Sequence, residues 1–222
     1  MYLHGKTAVI TGAEGALGRS VCDKAQSSGA RIVKLDIAIE HSPAQLQFAV
    51  DLNDADATRA AFNEIGQFDA LFNLAGGFHF GTGVWDRSDS SWDQMFDINV
   101  NSLRNALKAA VPVLLDQGRG AIVNVGALGA LTGQGQMNAY CAAKSVVMRI
   151  TESLSEEVRD KGINVNAVLP SIIDTPANRA AMPDENHAAW VSPNDLAEVI
   201  CFLGSEGARA IHGALVPVRN LC

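Results

Sequence analysis

Two residues of this 222-residue chain are spaced to exchange a proton, Tyr140 and Lys144 in the run Tyr140–Cys141–Ala142–Ala143–Lys144. The segment reads as the opening of a helix that runs towards Asp160. Four residues are slightly more than one helical turn, so the two side chains share a face. A phenol has a pKa of about 10 and is a poor acid near neutrality. A neighbouring ammonium favours the phenolate, and so does the positive end of a helix for a residue in its first turn. The expectation is a tyrosine whose pKa is lowered towards the range useful for proton transfer. A tyrosine and a lysine at this spacing also arise by chance as a surface pair, so the surrounding elements decide.

A phosphate-binding loop is the first of these elements. Lys6–Thr11 is β-rich and ends at Thr11–Gly12–Ala13–Glu14–Gly15–Ala16–Leu17–Gly18, and a helix follows through Arg19–Ser28. Strand, glycine-rich turn and helix together present backbone amides to a pyrophosphate. Gly12 permits the tight turn and Gly18 close helix–strand packing, which makes Gly12, Glu14, Ala16, Leu17 and Gly18 candidate cofactor contacts. The strand Arg31–Leu35 ends at Asp36, eighteen residues beyond Gly18. A carboxylate there can bond both ribose hydroxyls of an adenosine and repels a 2′-phosphate. Glu14 adds like charge on the same side, so the expected cofactor is NAD, with NADH preferred over NADPH.

The remaining elements alternate as a parallel α/β sheet requires. Phe48–Val50 is a short strand leading to Asp51–Leu52, and a helix covers roughly Asp54–Ile65. The strand Asp69–Phe72 ends at Asn73–Leu74–Ala75–Gly76–Gly77, where small residues let a ligand approach the backbone. Phe78–Ser91 is irregular and polar, a candidate wall of a substrate pocket. Ser91–Asp116 carries Met95, Leu103, Leu107, Val111 and Leu114 on an apolar helical stripe, with Pro112 expected to bend or end it. Asn99 lies within that helix, and its simplest reading is a buried amide bonded to a backbone carbonyl. Ala121–Val125 and Ile163–Leu169 read as buried parallel strands. Pro170, Ile173 and Thr175 follow the second of them at its C-terminal end, where ligands bind in open α/β sheets. Asn178–Trp190 reads as an excursion that could close over a site, Leu196–Leu203 as the last helix and Ala214–Val218 as the closing strand.

Composition bounds the partners. One domain spanning residues 1–222 is long enough for a substantial core. The net charge of −7, without a basic stripe, argues against nucleic acid. No segment approaches a membrane span, and the apolar run Ala8–Val9–Ile10 is too short for a signal peptide. Cys22, Cys141, Cys201 and Cys222 form no CxxC pair and read as free thiols, so a soluble cytoplasmic protein is expected. The five histidines have no metal-ligand spacing.

Taken together, the chain resembles the short-chain dehydrogenase/reductase family over essentially its whole length. The matching signals are the Thr11–Gly18 loop, Asp36, Asp51–Leu52, Asn73–Gly76, Asn99, the Tyr140/Lys144 pair, and Asn166 to Thr175. The resemblance implies a single Rossmann-like, doubly wound parallel sheet flanked by helices on both faces. It also implies an NAD(P)-dependent oxidoreductase in which Tyr140 exchanges the proton with the substrate and Lys144 bonds the nicotinamide ribose. Asn99 would hold a proton-relay water, Asp36 and Asp51 would contact the adenosine side, and Ile173 and Thr175 the nicotinamide carboxamide. Leu52, Asn73, Ala75, Gly76 and Pro170 complete the expected cofactor site. The long helices Ser91–Asp116 and Ala139–Asp160 resemble those that pair across family dimers, which implies a homodimer or homotetramer.

The departures from the family pattern carry the clue to substrate. Ala16 replaces the middle loop glycine, and Leu74 a second asparagine. The family serine, thirteen residues before the tyrosine, is Ala127. Losing such a donor to a developing oxyanion costs roughly 3 kcal/mol where it matters. The quinonoid dihydropteridine reductase branch is similar in pairing Gly126–Ala127 with the tyrosine–lysine pair. It also resembles this chain in Gly77–Phe78 and in Asp174–Thr175–Pro176, Asn178–Arg179 and Met182–Pro183. Three readings follow: a reductase of a small conjugated substrate, a ketone/alcohol oxidoreductase in which Asn124 or Thr132 replaces the serine, and a weakly catalytic NAD-binding sensor or assembly protein.

Overall fold

The computed structural model describes residues 2–87 and 90–222. Seven parallel strands form one sheet in the order β3-β2-β1-β4-β5-β6-β7. They are β1 (Thr7–Thr11), β2 (Arg31–Asp36), β3 (Gln47–Ala49), β4 (Ala70–Asn73), β5 (Gly120–Val125), β6 (Ile163–Pro170) and β7 (Leu215–Val218). Strand side chains alternate between two cores, as a period of two demands. Ala8 and Ile10 of β1 join Ala70 and Phe72 of β4 on one face, and Val9 and Leu71 join the other. Both cores are apolar because helices cover both faces of a parallel sheet.

The first core is roofed by α1 (Ala16–Ser27) and α7 (Pro193–Leu203), which supply Val21, Ala25, Leu196 and Ile200. The second lies under α2 (Ala55–Ile65), α4 (Ser102–Gln117) and α5 (Asn138–Val158), which supply Phe62, Leu107, Leu114, Val147 and Val158. Each such side chain contributes about 1.5–3 kcal/mol when fully buried. Capping sets the helix starts. The Asp54 carboxylate accepts from the Asp56 and Ala57 amides at α2, and the Ser192 hydroxyl from the Asp195 amide before Pro193 at α7.

The long helix expected over 91–116 differs in one important respect. It consists of α3 (Ser91–Phe96), a π-helical turn at Asp97–Asn101, and α4. Pro112 neither ends nor interrupts it: α4 continues to Gln117 and stops at Gly118, whose φ of 65° suits glycine. Pro112 is exposed, so the ring that replaces an N–H faces away from the core. Part of the excursion after β6 is regular, since α6 (Pro176–Ala181) follows a Thr175 cap. The irregular stretch after β4 contains Ser88 and Asp89, which lie outside the described residues. Among the described residues no helix is long and apolar enough to cross a membrane.

Chain direction across the sheet reverses between β1 and β4, because β1 leads outward to β2 and β3 while β4 leads the other way. The C-terminal ends of these two strands therefore border a crevice, the place where open α/β sheets bind ligands.

Candidate active site

That crevice holds a cavity of about 580 Å³ lined by Gly12, Glu14, Asp36, Asp51, Leu52 and Gly76, among others. Its floor is fixed by Thr11, whose hydroxyl accepts hydrogen bonds from the Leu74 and Ala75 amides at 3.1 and 3.2 Å. The glycines are there for space. A Cβ on Gly12 would lie 2.8 Å from the Ala75 nitrogen, and one on Gly18 would lie 2.1 Å from the Gly12 carbonyl oxygen. Gly12 also has a φ of 65°, which side chains other than glycine rarely adopt. These contacts keep the loop bare and close to the sheet, as a pyrophosphate cradle requires. The residues present thus fit a dinucleotide.

Most of the expected cofactor residues fall into three groups. Gly12, Glu14, Asp36, Asp51, Leu52, Ala75 and Gly76 line the cavity. Ala16, Leu17 and Gly18 form the first turn of α1, with Leu17 packed on the first core. Pro170 ends β6, Ile173 pairs with Val191 in a short bridge, and Thr175 caps α6. Asn73 instead points into the protein. Its Nδ2 donates to Asn124 Oδ1 at 2.8 Å, Asn124 Nδ2 donates to Thr151 Oγ1 at 2.9 Å, and Thr151 donates to the Val147 carbonyl. This buried chain ties β4, β5 and α5 together. It also removes Asn124 as a stand-in for the missing serine, since Asn124 is wholly buried and already bonded. Thr132 sits exposed in the loop before α5.

Glu14 corrects a second expectation. It is not an isolated negative charge, because Lys34 Nζ donates to its Oε1 at 3.0 Å and Arg19 Nε lies 3.5 Å from its Oε2. The hydrogen bond from Lys34 is the main reason its carboxyl is held below the usual range. Lys34 escaped the sequence reading because it reaches Glu14 from a neighbouring strand, and Arg19 because nothing in its spacing aims it back at the loop. The one signal available was that Lys34 and Asp36, two apart on β2, point to the same side.

Lys144 and Asn99 meet around Gly76, and Tyr140 lies one turn before Lys144 on α5. Lys144 is buried and donates from Nζ to the Val125 carbonyl at 2.9 Å. Asn99 Nδ2 donates to the Gly77 and Met95 carbonyls at 3.0 Å each, and its Oδ1 accepts from the Gly77 amide at 3.2 Å. The simple reading of Asn99 as a buried amide bonded to backbone carbonyls therefore holds. A Cβ on Gly76 would lie 2.8 Å from Asn99 Oδ1 and 3.4 Å from Lys144 Nζ, so only a glycine fits between them. The π-helical turn places Asn99, and such turns recur at functional sites.

Tyr140 occupies the first turn of α5 as expected, but its acidity runs the other way. Burial raises its pKa to about 12, and burial lowers that of Lys144 to about 8. In the chain alone, desolvation outweighs the helix end and the ammonium. Around the phenol the surroundings are apolar. Ala127, buried, belongs with Cys141 to an apolar cluster on which Met137 and Tyr140 pack, while Phe78 stands edge-on to the Tyr140 ring and Phe80 edge-on to Phe78. Trp190 is buried, with His187 against its ring.

Residues 6–186 match the profile of the family described as short chain dehydrogenase. The chain belongs to the short-chain dehydrogenase family. Among the relatives of this short-chain dehydrogenase is 2-(S)-hydroxypropyl-CoM dehydrogenase 3 of Xanthobacter autotrophicus, 29% identical, with 97% of this chain and 96% of that one covered. Similar solved structures include a provisionally assigned 2-deoxy-D-gluconate 3-dehydrogenase of Agrobacterium tumefaciens with NADP bound, at TM-score 0.87 and 29% identity over 99% of this chain and 96% of that one. Carveol dehydrogenase of Mycobacterium avium with NAD bound gives 0.84 and 27% over 98% and 97%. The fold and the oxidoreductase class expected from the sequence are thereby shown. These relatives differ in the dinucleotide bound and in the substrate named.

Proposed function

We propose that this short-chain dehydrogenase transfers hydride between NAD(H) and a small conjugated substrate, with Tyr140 exchanging the proton. The observation that carries this reading is the apolar setting of Tyr140. Where the family serine stands, Ala127 belongs to the apolar cluster on which Tyr140 packs, and Phe78 stands edge-on to the tyrosine ring. A lone phenol can protonate a substrate that spreads its developing charge over a ring. A simple ketone needs a second donor at its oxyanion.

A bound nicotinamide supplies or accepts the hydride. The chain's own residues do the rest. Asp36 receives the adenosine ribose hydroxyls, its two oxygens retaining acceptor capacity beyond the Glu14 and Ala38 amides they already bond. Gly12, Ala16, Leu17 and Gly18 hold the pyrophosphate, with Asp51, Leu52, Ala75 and Gly76 shaping the adenosine and central parts of the site and Asn73, turned inward, anchoring the strand end beneath them. Lys144 bonds the nicotinamide ribose, and Pro170, Ile173 and Thr175 border its carboxamide. Asn99 positions the Gly76–Gly77 turn, and its Oδ1 keeps capacity for a relay water. The resemblance to quinonoid dihydropteridine reductase makes a quinonoid dihydropterin the first compound to test.

The ketone/alcohol reading is favoured by one observation, the retained Asn99 with its hydrogen-bonded turn. One assay separates the readings: NADH oxidation with quinonoid dihydropterin beside a panel of ketones and quinones. Turnover confined to the ketones supports the second reading. NADH binding without any turnover supports a sensor or assembly role. Tyr140→Phe is expected to lower kcat by about 10²–10⁴, and undiminished turnover would remove the proton-transfer role.

The α4–α5 outer face bears an apolar groove lined by Leu107, Val111, Val146, Ile150 and Leu154, which fits the homodimer or homotetramer proposed here. Four free cysteines suit a reducing, cytoplasmic setting.

A further inference from the structure

At the adenosine end of the cavity, four charged side chains interlock. Glu14 gives one carboxylate oxygen to Lys34 at 3.0 Å and the other to Arg19 at 3.5 Å. Its amide donates to Asp36 Oδ2 at 2.9 Å, while Asp36 Oδ1 accepts from the Ala38 amide at 2.9 Å. The backbone of Glu14 thus orients one acid, and its side chain occupies both cations. Glu14, Arg19, Asp36, Ile37 and Ala38 all line the cavity rim. Glu14 is matched by its two cations, so the uncompensated acids at the rim are Asp36 and Asp51, and Glu14 itself adds little like-charge repulsion. What the arrangement withholds is a cation, and an arginine near this position is what accommodates a 2′-phosphate.

We infer that Glu14 is a latch for cofactor specificity: it keeps Lys34 and Arg19 paired, and so denies them to the 2′-phosphate of NADP(H). This rests on the NAD(H) reading above and names the device behind it. Asp36 engages the ribose hydroxyls, but the latch decides whether a phosphate in their place finds a partner. Glu14 and Lys34 are each about a third exposed, so the pair is accessible to a phosphate yet not fully screened by water. Neutralising Glu14 leaves both cations without the carboxylate that now occupies them.

The test is calorimetric titration of the purified protein and its variants with NADH and NADPH. The wild-type ratio of Kd for NADPH to Kd for NADH tests the underlying cofactor reading; a ratio at or below one sinks that reading. The latch is tested by how the ratio changes. Glu14→Gln is expected to lower it about tenfold, equivalent to about 1.4 kcal/mol, and adding Lys34→Met and Arg19→Met to that variant is expected to restore it. Lys34→Met alone is expected to raise the ratio, because Glu14 is left undercompensated. An unchanged ratio in Glu14→Gln, a drop that survives loss of both cations, or a lowered ratio in Lys34→Met each overturns the latch. Circular-dichroism melts establish that each variant is folded. Should Glu14→Gln fail that check, Lys34→Met alone decides the matter.

Discussion

The ring of Phe78 meets that of Tyr140 edge-on, with centroids 4.9 Å apart and planes at 89°. Phe78 is itself 42% exposed, so it forms a partly open aromatic wall beside the phenol rather than part of the core. Such contacts are worth about 0.5–1.5 kcal/mol beyond the area they bury. Phe78→Ala is therefore expected to raise KM for a conjugated substrate by roughly two- to tenfold, with a smaller effect on kcat. Steady-state kinetics on the best substrate checks this. A fall in kcat with KM unchanged would mean that Phe78 acts on the phenol and not on the substrate.

Ala127 gives a prediction of gained function. Ala127→Ser places a hydroxyl where the family has one, within the cluster that contains Tyr140. Turnover of a simple ketone should rise by about 10² in kcat, the scale of one oxyanion donor. Turnover of a conjugated substrate should change much less. Equal gains on both substrates would show that charge is not dispersed in the second.

The pKa of Lys144, lowered by burial to about 8, implies a pH-dependent cost. Below pH 8 the lysine is protonated in both folded and unfolded chains, and the full cost of burying its charge is present. Between pH 8 and its unfolded value near 10.5 the unfolded chain binds the extra proton, so stability rises with pH. Lys144→Met is expected to be more stable than the wild type at pH 7, by on the order of 3 kcal/mol. That margin should shrink as pH climbs from 8 towards 10.5. Urea denaturation of both proteins across that range measures it, and a margin independent of pH would contradict the burial argument. Tyr140 acts in the opposite sense at higher pH. Its pKa raised to about 12 means that stability falls above pH 10.

Asn99→Ala leaves the Gly77 amide and the Gly77 and Met95 carbonyls without their partner. Each unsatisfied buried group costs about 1–3 kcal/mol, so a loss of about 2–4 kcal/mol after local relaxation is expected in chemical denaturation. Binding of NADH should weaken alongside, because the Gly76–Gly77 turn that Asn99 fixes borders the cavity. Weakened turnover with both stability and NADH affinity intact would assign Asn99 to the reaction alone.

The sheet was legible in the sequence because its strands are short apolar runs closed by glycine turns, as in Ala121–Val125, and because the loop, Asp36 and the tyrosine–lysine pair occur in a fixed order. The π-helical turn was not. Its residues Asp97–Asn101 keep an ordinary helical pattern, and one extra residue per turn leaves no compositional trace. The Glu14–Lys34 pair joins residues twenty apart on different elements, a contact that only the β1–β2 register creates. The direction of the Tyr140 pKa was misread for a related reason: spacing reveals the lysine but not how dry the phenol is. Asn124, polar in an apolar strand, gave no indication whether it faced the pocket or the neighbouring strand.

The π-helical turn has a consequence for how this helix tolerates length changes. A turn with one spare residue can be excised to an ordinary α-helix without breaking the chain's path. Everything upstream would then be rotated by roughly 100°, one residue's share of a 3.6-residue turn. Deleting a residue within 97–101 should leave a sound helix while moving Met95 and the start of the segment off their present bearings.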